Sequence, residues 1–272
     1  MKFMHQPAKV RDFTEVDSSD ARFLIEFLDK ANSLSTFQSA KPAITQRLNL
    51  NPGSNWIDVG CGTGDDTISI SQSHTPNGSA VGVDISHAMV REAGERAARE
   101  SAANVSFRQG DATHLPFETN AFDACRAERV LFHVADRGKA VDEMIRVTRP
   151  GGAIVGMEVD GGSTIIDHPN HQLTQKITDH MTESVAGGWA GRELPRLYRE
   201  RGLEDVTVTP HTVILDFEWF NMVIGAELES SEFHSGVPEI ALWWDDLRAA
   251  EGRGLFFSTF TTFIVRGTKP VL

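Results

Sequence analysis

Three glycines at alternate positions, Gly60, Gly62 and Gly64, directly follow the short apolar run Asn55-Trp56-Ile57-Asp58-Val59, and Asp65-Asp66-Thr67 with an apolar helical pattern (Ile68, Ile70) comes next. That order constrains the chain to a strand, a tight turn and a helix. Glycine tolerates positive φ and lets backbone approach a ligand closely. The first turn of the helix offers N–H groups with no intrahelical partner. A glycine triplet also serves as a plain turn, so its context decides. The dinucleotide spacing Gly-x-Gly-x-x-Gly fails here, because Asp65 stands where the third glycine would be. The phosphate loop fails as well, since no Gly-Lys-Ser/Thr follows.

Further apolar runs end in acids. Ala80 to Ser86 carries Asp84, 20 residues beyond Gly64, and an acid there can accept hydrogen bonds from both hydroxyls of a ribose. Val105 to Ala112 ends at Asp111, placed to accept from an exocyclic amine, with turn capping as the alternative. Phe122 to Ala127 is a fourth strand, and Arg149-Pro150-Gly151-Gly152 closes a helix and opens a fifth strand over Ala153 to Val159. Helical patterns over 65–73, 87–100 and 139–148 lie between. Such alternation predicts a parallel sheet with helices on both faces. Ligands of such sheets sit beyond the carboxyl ends of the strands, where the glycines, Asp84 and Asp111 all fall.

In this order and spacing, Asp58 to Gly64, Gly82-Val83-Asp84, Gly110-Asp111-Ala112 with Leu115-Pro116-Phe117, Phe122-Asp123 and Arg149 to Gly152 resemble the class I S-adenosylmethionine-dependent methyltransferases. The likeness is strongest to the small-molecule branch that includes the ubiquinone and menaquinone methyltransferases, and it covers roughly positions 50 to 160. It implies a doubly wound, Rossmann-like, mostly parallel seven-stranded α/β sheet with an antiparallel last strand. It implies S-adenosyl-L-methionine as cofactor and S-adenosyl-L-homocysteine as product. Carried over, Gly60, Gly62 and Gly64, with Cys61 among them, line the methionine portion. Asp58 orients its amino end, Asp84 takes the ribose hydroxyls, Ile85 packs on adenine, and Asp111 with Ala112 meets the adenine amine. The segment after the fourth strand, Arg126 to His133, faces the methyl group, with Ala127 or Glu128 offering backbone. His133 is the candidate base, since histidine changes charge near neutral pH; ordering the loop is its plainer role. Glu128 is a second candidate catalytic group, or a simple ion-pair partner of Arg129.

The expected organisation is an N-terminal helical lid over 1–50, a cofactor-binding core over 51–160, and a C-terminal part over 161–272. The last part would add acceptor-covering helices at about 165–202 and 217–250, the second inserted between the last two strands. Glu158 and Asp160 are expected to point toward the pocket. Trp219, Trp243 and Trp244 are core residues or walls of an aromatic acceptor pocket. His168, His171 and His180 match no strong zinc spacing, so no metal is expected.

A net charge of −12 and a pI near 5.3 disfavour broad nucleic-acid binding, which needs a cationic surface. No apolar run reaches membrane-spanning length, no signal-peptide pattern opens the chain, and only Cys61 and Cys125 occur, so a cytoplasmic monomer or homodimer is expected. The leading function is methyl transfer to an oxygen, nitrogen or carbon of a small acceptor, uncharged or aromatic, of a secondary-metabolite or quinone-like kind. No membrane-binding amphipathic helix speaks for a quinone. The alternatives are a cofactor-binding regulatory or scaffold protein without turnover, an NAD-dependent oxidoreductase, and methylation of nucleic acid or protein.

Overall fold

The computed structural model describes residues 13, 16–18, 21–225 and 239–271. Its strands are β1 (Asn55–Val59), β2 (Ser79–Asp84), β3 (Val105–Gln109), β4 (Phe122–Glu128), β5 (Thr148–Ile166), β6 (Glu204–Leu215) and β7 (Ser258–Thr268). They form one seven-stranded sheet in the order β3-β2-β1-β4-β5-β7-β6. The first five are mutually parallel, while β7 runs antiparallel to both β5 and β6. This is the predicted doubly wound sheet with its reversed last strand.

Helices α4 (Asp65–His74), α5 (His87–Arg99), α6 (Arg137–Val147) and α8 (Ala190–Glu200) clothe the sheet. α4, α5 and α6 start within two residues of their sequence-based bounds because the local signals are strong. Ser86 accepts the Met89 N–H and caps α5, and Asp136 accepts the Lys139 N–H and caps α6. β1 is central and buried on both faces. Trp56 joins Ala80, Ala124, Val155 and Ile264 on one side, with Ile44 and Leu48 from the N-terminal helices. Ile57 joins Cys125, Ile154, Val141, Met144, Leu194 and Tyr198 on the other. Burying a side chain such as Ile57 contributes roughly 2 kcal/mol.

Three short helices, α1 (Ala21–Ser33), α2 (Ser35–Gln38) and α3 (Lys41–Arg47), precede the sheet. The turn Val16–Ser18 docks before them, where Val16 and Leu24 bury against Met89 of α5. Residues 1–12, 14, 15, 19 and 20 of the expected N-terminal lid lie outside the described residues.

Two differences from the sequence reading stand out. β5 continues well past Val159, because the bulge between Asp160 and Ile165 accommodates Gly161 and Gly162 and pairing with β7 resumes at Ile165. The single helix expected over 217–250 is instead α9 (Phe217–Phe220), a π turn (Asn221–Gly225) and α10 (Ile240–Glu251), with 226–238 outside the described residues. α7 (His171–Glu183) fills the preceding stretch. No helix among the described residues is long and apolar enough to cross a membrane.

Candidate active site

Beyond the carboxyl ends of the parallel strands lies a cavity of about 760 Å³. One end is formed by Gly60, Cys61, Gly62, Asp84, Ile85, Asp111 and Ala112. Gly60 and Gly62 hold φ of 68° and 52°, conformations that side chains resist. The Gly60 and Cys61 amides donate to the Val83 carbonyl at 2.7 and 2.9 Å, which folds the loop back over β2.

Asp84 braces that loop. One carboxylate oxygen accepts the Gly62 N–H at 2.9 Å and the other the Ser86 N–H at 2.9 Å. Burial raises the Asp84 carboxyl above its ordinary value, and the two amides offset part of that. Ile85 is 45% exposed, an apolar shelf on the cavity wall. Asp111 caps its own turn, accepting the Thr113 N–H at 2.7 Å and its hydroxyl at 2.9 Å. Capping and access to the cavity therefore coexist at this residue. Burial and the nearby Asp84 push the Cys61 thiol up, so it is a neutral wall atom.

Three expected contacts fall elsewhere. Gly64 (φ 81°) is not on the cavity surface; a Cβ there would lie 2.6 Å from Phe107, so this glycine serves the junction of loop and α4. Asp58 is 1% exposed and is gripped by Arg126 Nη1 at 2.8 Å and by the Thr67 hydroxyl at 2.7 Å. Burial raises its carboxyl, and the Arg126 charge offsets part of that. Ala127, expected to offer backbone, does not line the cavity; its side chain is buried in the core below, because alternation along β4 sends Arg126 and Glu128 to the opposite face.

That alternation builds a charge cluster the sequence reading missed. Lys41 Nζ reaches Asp66 and lies 2.9 Å from Glu128; Arg126 reaches Asp58, Asp66 and Glu128. Burial raises the Glu128 carboxyl, but the Lys41 and Arg126 charges outweigh it and hold the group below its usual range. Glu128 is thus a fixed anion and a poor proton acceptor, which counts against the catalytic part given to it. The expected pairing with Arg129 is present but loose, at 3.5 Å. Only Glu128 and Arg126, two apart on a strand, were findable in sequence; Lys41 arrives from α3.

His133 ends the turn Leu131–His133, with its ring 5.1 Å from Phe13 and 5.2 Å from Phe132, and it lines the cavity. Glu158 does not point into the cavity as expected. Fully buried, it accepts the Val130, Leu131 and Phe132 amides at 2.9, 2.8 and 3.1 Å. Burial lifts its carboxyl to about 7 against those three donors. Asp160 likewise turns to Arg192, at 2.9 Å.

The other end of the cavity is apolar, with Phe27, Phe37, Trp219, Leu215, Phe260 and Met181 on its walls. Phe27 stacks on Trp219 with ring centroids 4.9 Å apart. Trp243 and Trp244 are core residues instead. His168 is structural, accepting the Asn170 N–H at 3.0 Å beside Trp243. No group of three metal-binding side chains occurs among the described residues.

The donor set at the strand ends fits S-adenosylmethionine. Side-chain-free backbone at Gly60 and Gly62, an acid at Asp84 placed where a ribose diol could donate to it and a second acid at Asp111 suit a nucleoside, and Asp84 and Asp111 suit the positive charge of a sulfonium.

Comparison with known proteins agrees. The family model of a methyltransferase domain matches residues 50–202. An uncharacterized 37.1 kDa protein in transposon TN4556 of Streptomyces fradiae is 34% identical over 247 residues, covering 89% of this chain and 70% of that protein. A demethylmenaquinone methyltransferase of Staphylococcus aureus is 37% identical over 202 residues, 68% of this chain and 83% of that enzyme. The YcgJ protein of Bacillus subtilis, at 17% identity, has the same fold with a TM-score of 0.64 over 86% of this chain and 100% of its own. With the glycine loop, the strand-end acids and the reversed last strand in place, the chain belongs to the class I S-adenosylmethionine-dependent methyltransferases.

Proposed function

We propose that this enzyme methylates an oxygen, nitrogen or carbon atom of a small, largely apolar acceptor with aromatic character, of the kind found in secondary metabolism. One observation carries the reading: a single cavity joins an acidic, backbone-rich end at Asp84 to an aromatic end at Phe27, Phe37 and Trp219. The acidic balance of the chain argues against a nucleic-acid acceptor. The relative that acts on demethylmenaquinone is consistent with an aromatic acceptor.

When bound, S-adenosylmethionine supplies a methyl group on a positively charged sulfur that departs as a neutral thioether. The protein's task is then mainly to hold the acceptor atom in line. Gly60 to Gly62, Asp84, Ile85, Asp111 and Ala112 are the residues that would hold the cofactor. The aromatic walls orient the acceptor, and α1 and α2 with Phe13 cover the cavity and exclude water. His133 takes the proton when the acceptor atom carries one. Glu158 fixes the turn that presents His133.

The test is incubation of the pure protein with methyl-labelled cofactor and fractionated extract, followed by mass analysis of labelled products. A labelled small aromatic product is expected, and His133→Ala should slow its formation at least tenfold with cofactor affinity unchanged. Label appearing only in protein or nucleic acid would refute the reading.

A further inference from the structure

We propose that Arg129 is an anion-recognition point at the aromatic end of the cavity, so that the acceptor is a planar apolar molecule bearing an acidic oxygen, a carboxylate or an ionised phenol. This rests on the methyl-transfer reading and specifies the acceptor within it.

Arg129 directly follows β4 and holds a φ of 57°, in the left-handed region that an arginine rarely adopts. Its N–H donates to the Met157 carbonyl at 2.7 Å, which fixes the turn. Strained backbone of this kind persists where the surroundings over-determine it, and it concentrates at ligand sites. Here the reversal releases residue 129 from the alternation that sends Arg126 and Glu128 into the charge cluster. Its side chain reaches the cavity surface instead.

The guanidinium lies 4.6 Å over the ring of Phe37, and its Nη2 donates to Asn32 Oδ1 at 3.2 Å. Phe37 in turn meets Trp219 and Phe260 with ring centroids 6.4 Å apart in both pairs, so the cation sits in the aromatic box.

Its charge is poorly answered. Glu128 Oε1 is 3.5 Å from Nε, and Nε is buried with no hydrogen-bond partner among the described residues. Glu128 is already engaged by Lys41 and Arg126. A guanidinium presents several donors in a planar fork matched to a carboxylate. Arg129 meets one neutral oxygen and one loose ion pair. At the opposite end, Asp84 and Asp111 are acids that suit a cationic ligand, so the two ends of the cavity carry opposite charges.

The test uses calorimetry on the full chain saturated with S-adenosylhomocysteine, with 2-naphthoate and its neutral isostere 2-naphthamide as probes. The wild type should bind naphthoate at least tenfold tighter than naphthamide. Arg129→Gln should abolish that preference. Arg129→Gly should do the same while relieving the backbone strain, so that folding is retained. Affinities for S-adenosylhomocysteine and for methylthioadenosine, which lacks the amino-acid end, should not change in either variant. No anion preference in the wild type, or a preference that survives both substitutions, would overturn the proposal. So would a loss of S-adenosylhomocysteine affinity with methylthioadenosine affinity intact, because Arg129 would then serve the cofactor's own carboxylate. Failure of the wild type to bind S-adenosylhomocysteine at all would instead remove the methyl-transfer reading beneath it.

Discussion

The Leu131 amide donates to the Glu158 carboxylate at 2.8 Å, and the amides on either side close on the same group. An ionised carboxylate can accept all three, whereas a protonated one must turn a donor toward them. Burial nevertheless lifts this carboxyl from 4.5 to about 7. The folded protein therefore binds more protons than the unfolded chain between those values, and stability falls as pH rises through that window. The full shift corresponds to about 3 kcal/mol. Glu158→Gln should lack this decline. Urea denaturation at pH 5 and pH 8 should show the variant gaining on the wild type at the higher pH, and parallel pH dependences would contradict the assignment.

Asp84 holds both Gly62 and Ser86 by their amides, so it shapes the loop as well as facing the cavity. Asp84→Ala should weaken S-adenosylhomocysteine binding by tenfold or more. Asp84→Asn can keep one amide contact and should lose less. Titration calorimetry distinguishes these outcomes, and wild-type affinity in the alanine variant would count against the site.

Asp17 ties the N-terminal segment to α5, accepting the Ser86 hydroxyl at 2.7 Å and the His87 and Ala88 amides at 2.8 and 3.0 Å. Burial alone would raise its carboxyl, but these donors outweigh it and the net shift is downward from 3.8. A lowered carboxyl stabilises the docked state above the ordinary aspartate range, and the contribution is lost as pH falls below it. Replacing such a helix cap costs about 1 kcal/mol. Asp17→Ala should speed hydrogen exchange at His87 and Ala88 with little change in the global melting temperature. Unaltered exchange at both amides would show that Asp17 is not the latch.

A Cβ on Gly60 would lie 2.3 Å from Val130 Cγ2, and the residue holds positive φ. Gly60→Ala should destabilise the fold by about 2 kcal/mol or more, from strain and overpacking together. Adding Val130→Ala should recover part of that loss, as read by thermal melting of the single and double variants. Strict additivity would show that the two loops are not in contact.

Much of this was legible in the sequence because its signals are local. The apolar run into Gly60 and Gly62, the acid that ends β2 and the Arg-Pro-Gly-Gly turn each encode strand, turn and helix within a few residues. Local signals carry nothing where long-range packing decides. Nothing near Lys41 marks it as a partner of Glu128, 87 residues away. Asp17 stands in a polar stretch and accepts the first amides of a helix 70 residues on. Asp58 and Gly64 sit in the signature itself, yet their side of the strand and turn is taken up by Arg126 and Phe107. The Gly161-Gly162 pair reads as a strand end, although the bulge carries β5 through it. Glu158 read as a pocket acid, because strand position does not reveal that three amides arrive from the neighbouring loop.

The aromatic box has a consequence for how such enzymes diverge. Phe27, Phe37, Trp219 and Phe260 all fall outside the stretch of residues 50–202 that matches the family model, while Gly60, Asp84 and Asp111 fall inside it. On the proposed reading, the aromatic walls that meet the acceptor can therefore vary with the two flanks of the chain, while Arg129 and the residues that would hold the methyl donor lie within the matched stretch. If that reading holds, exchanging these flanks between relatives would alter which acceptors fit.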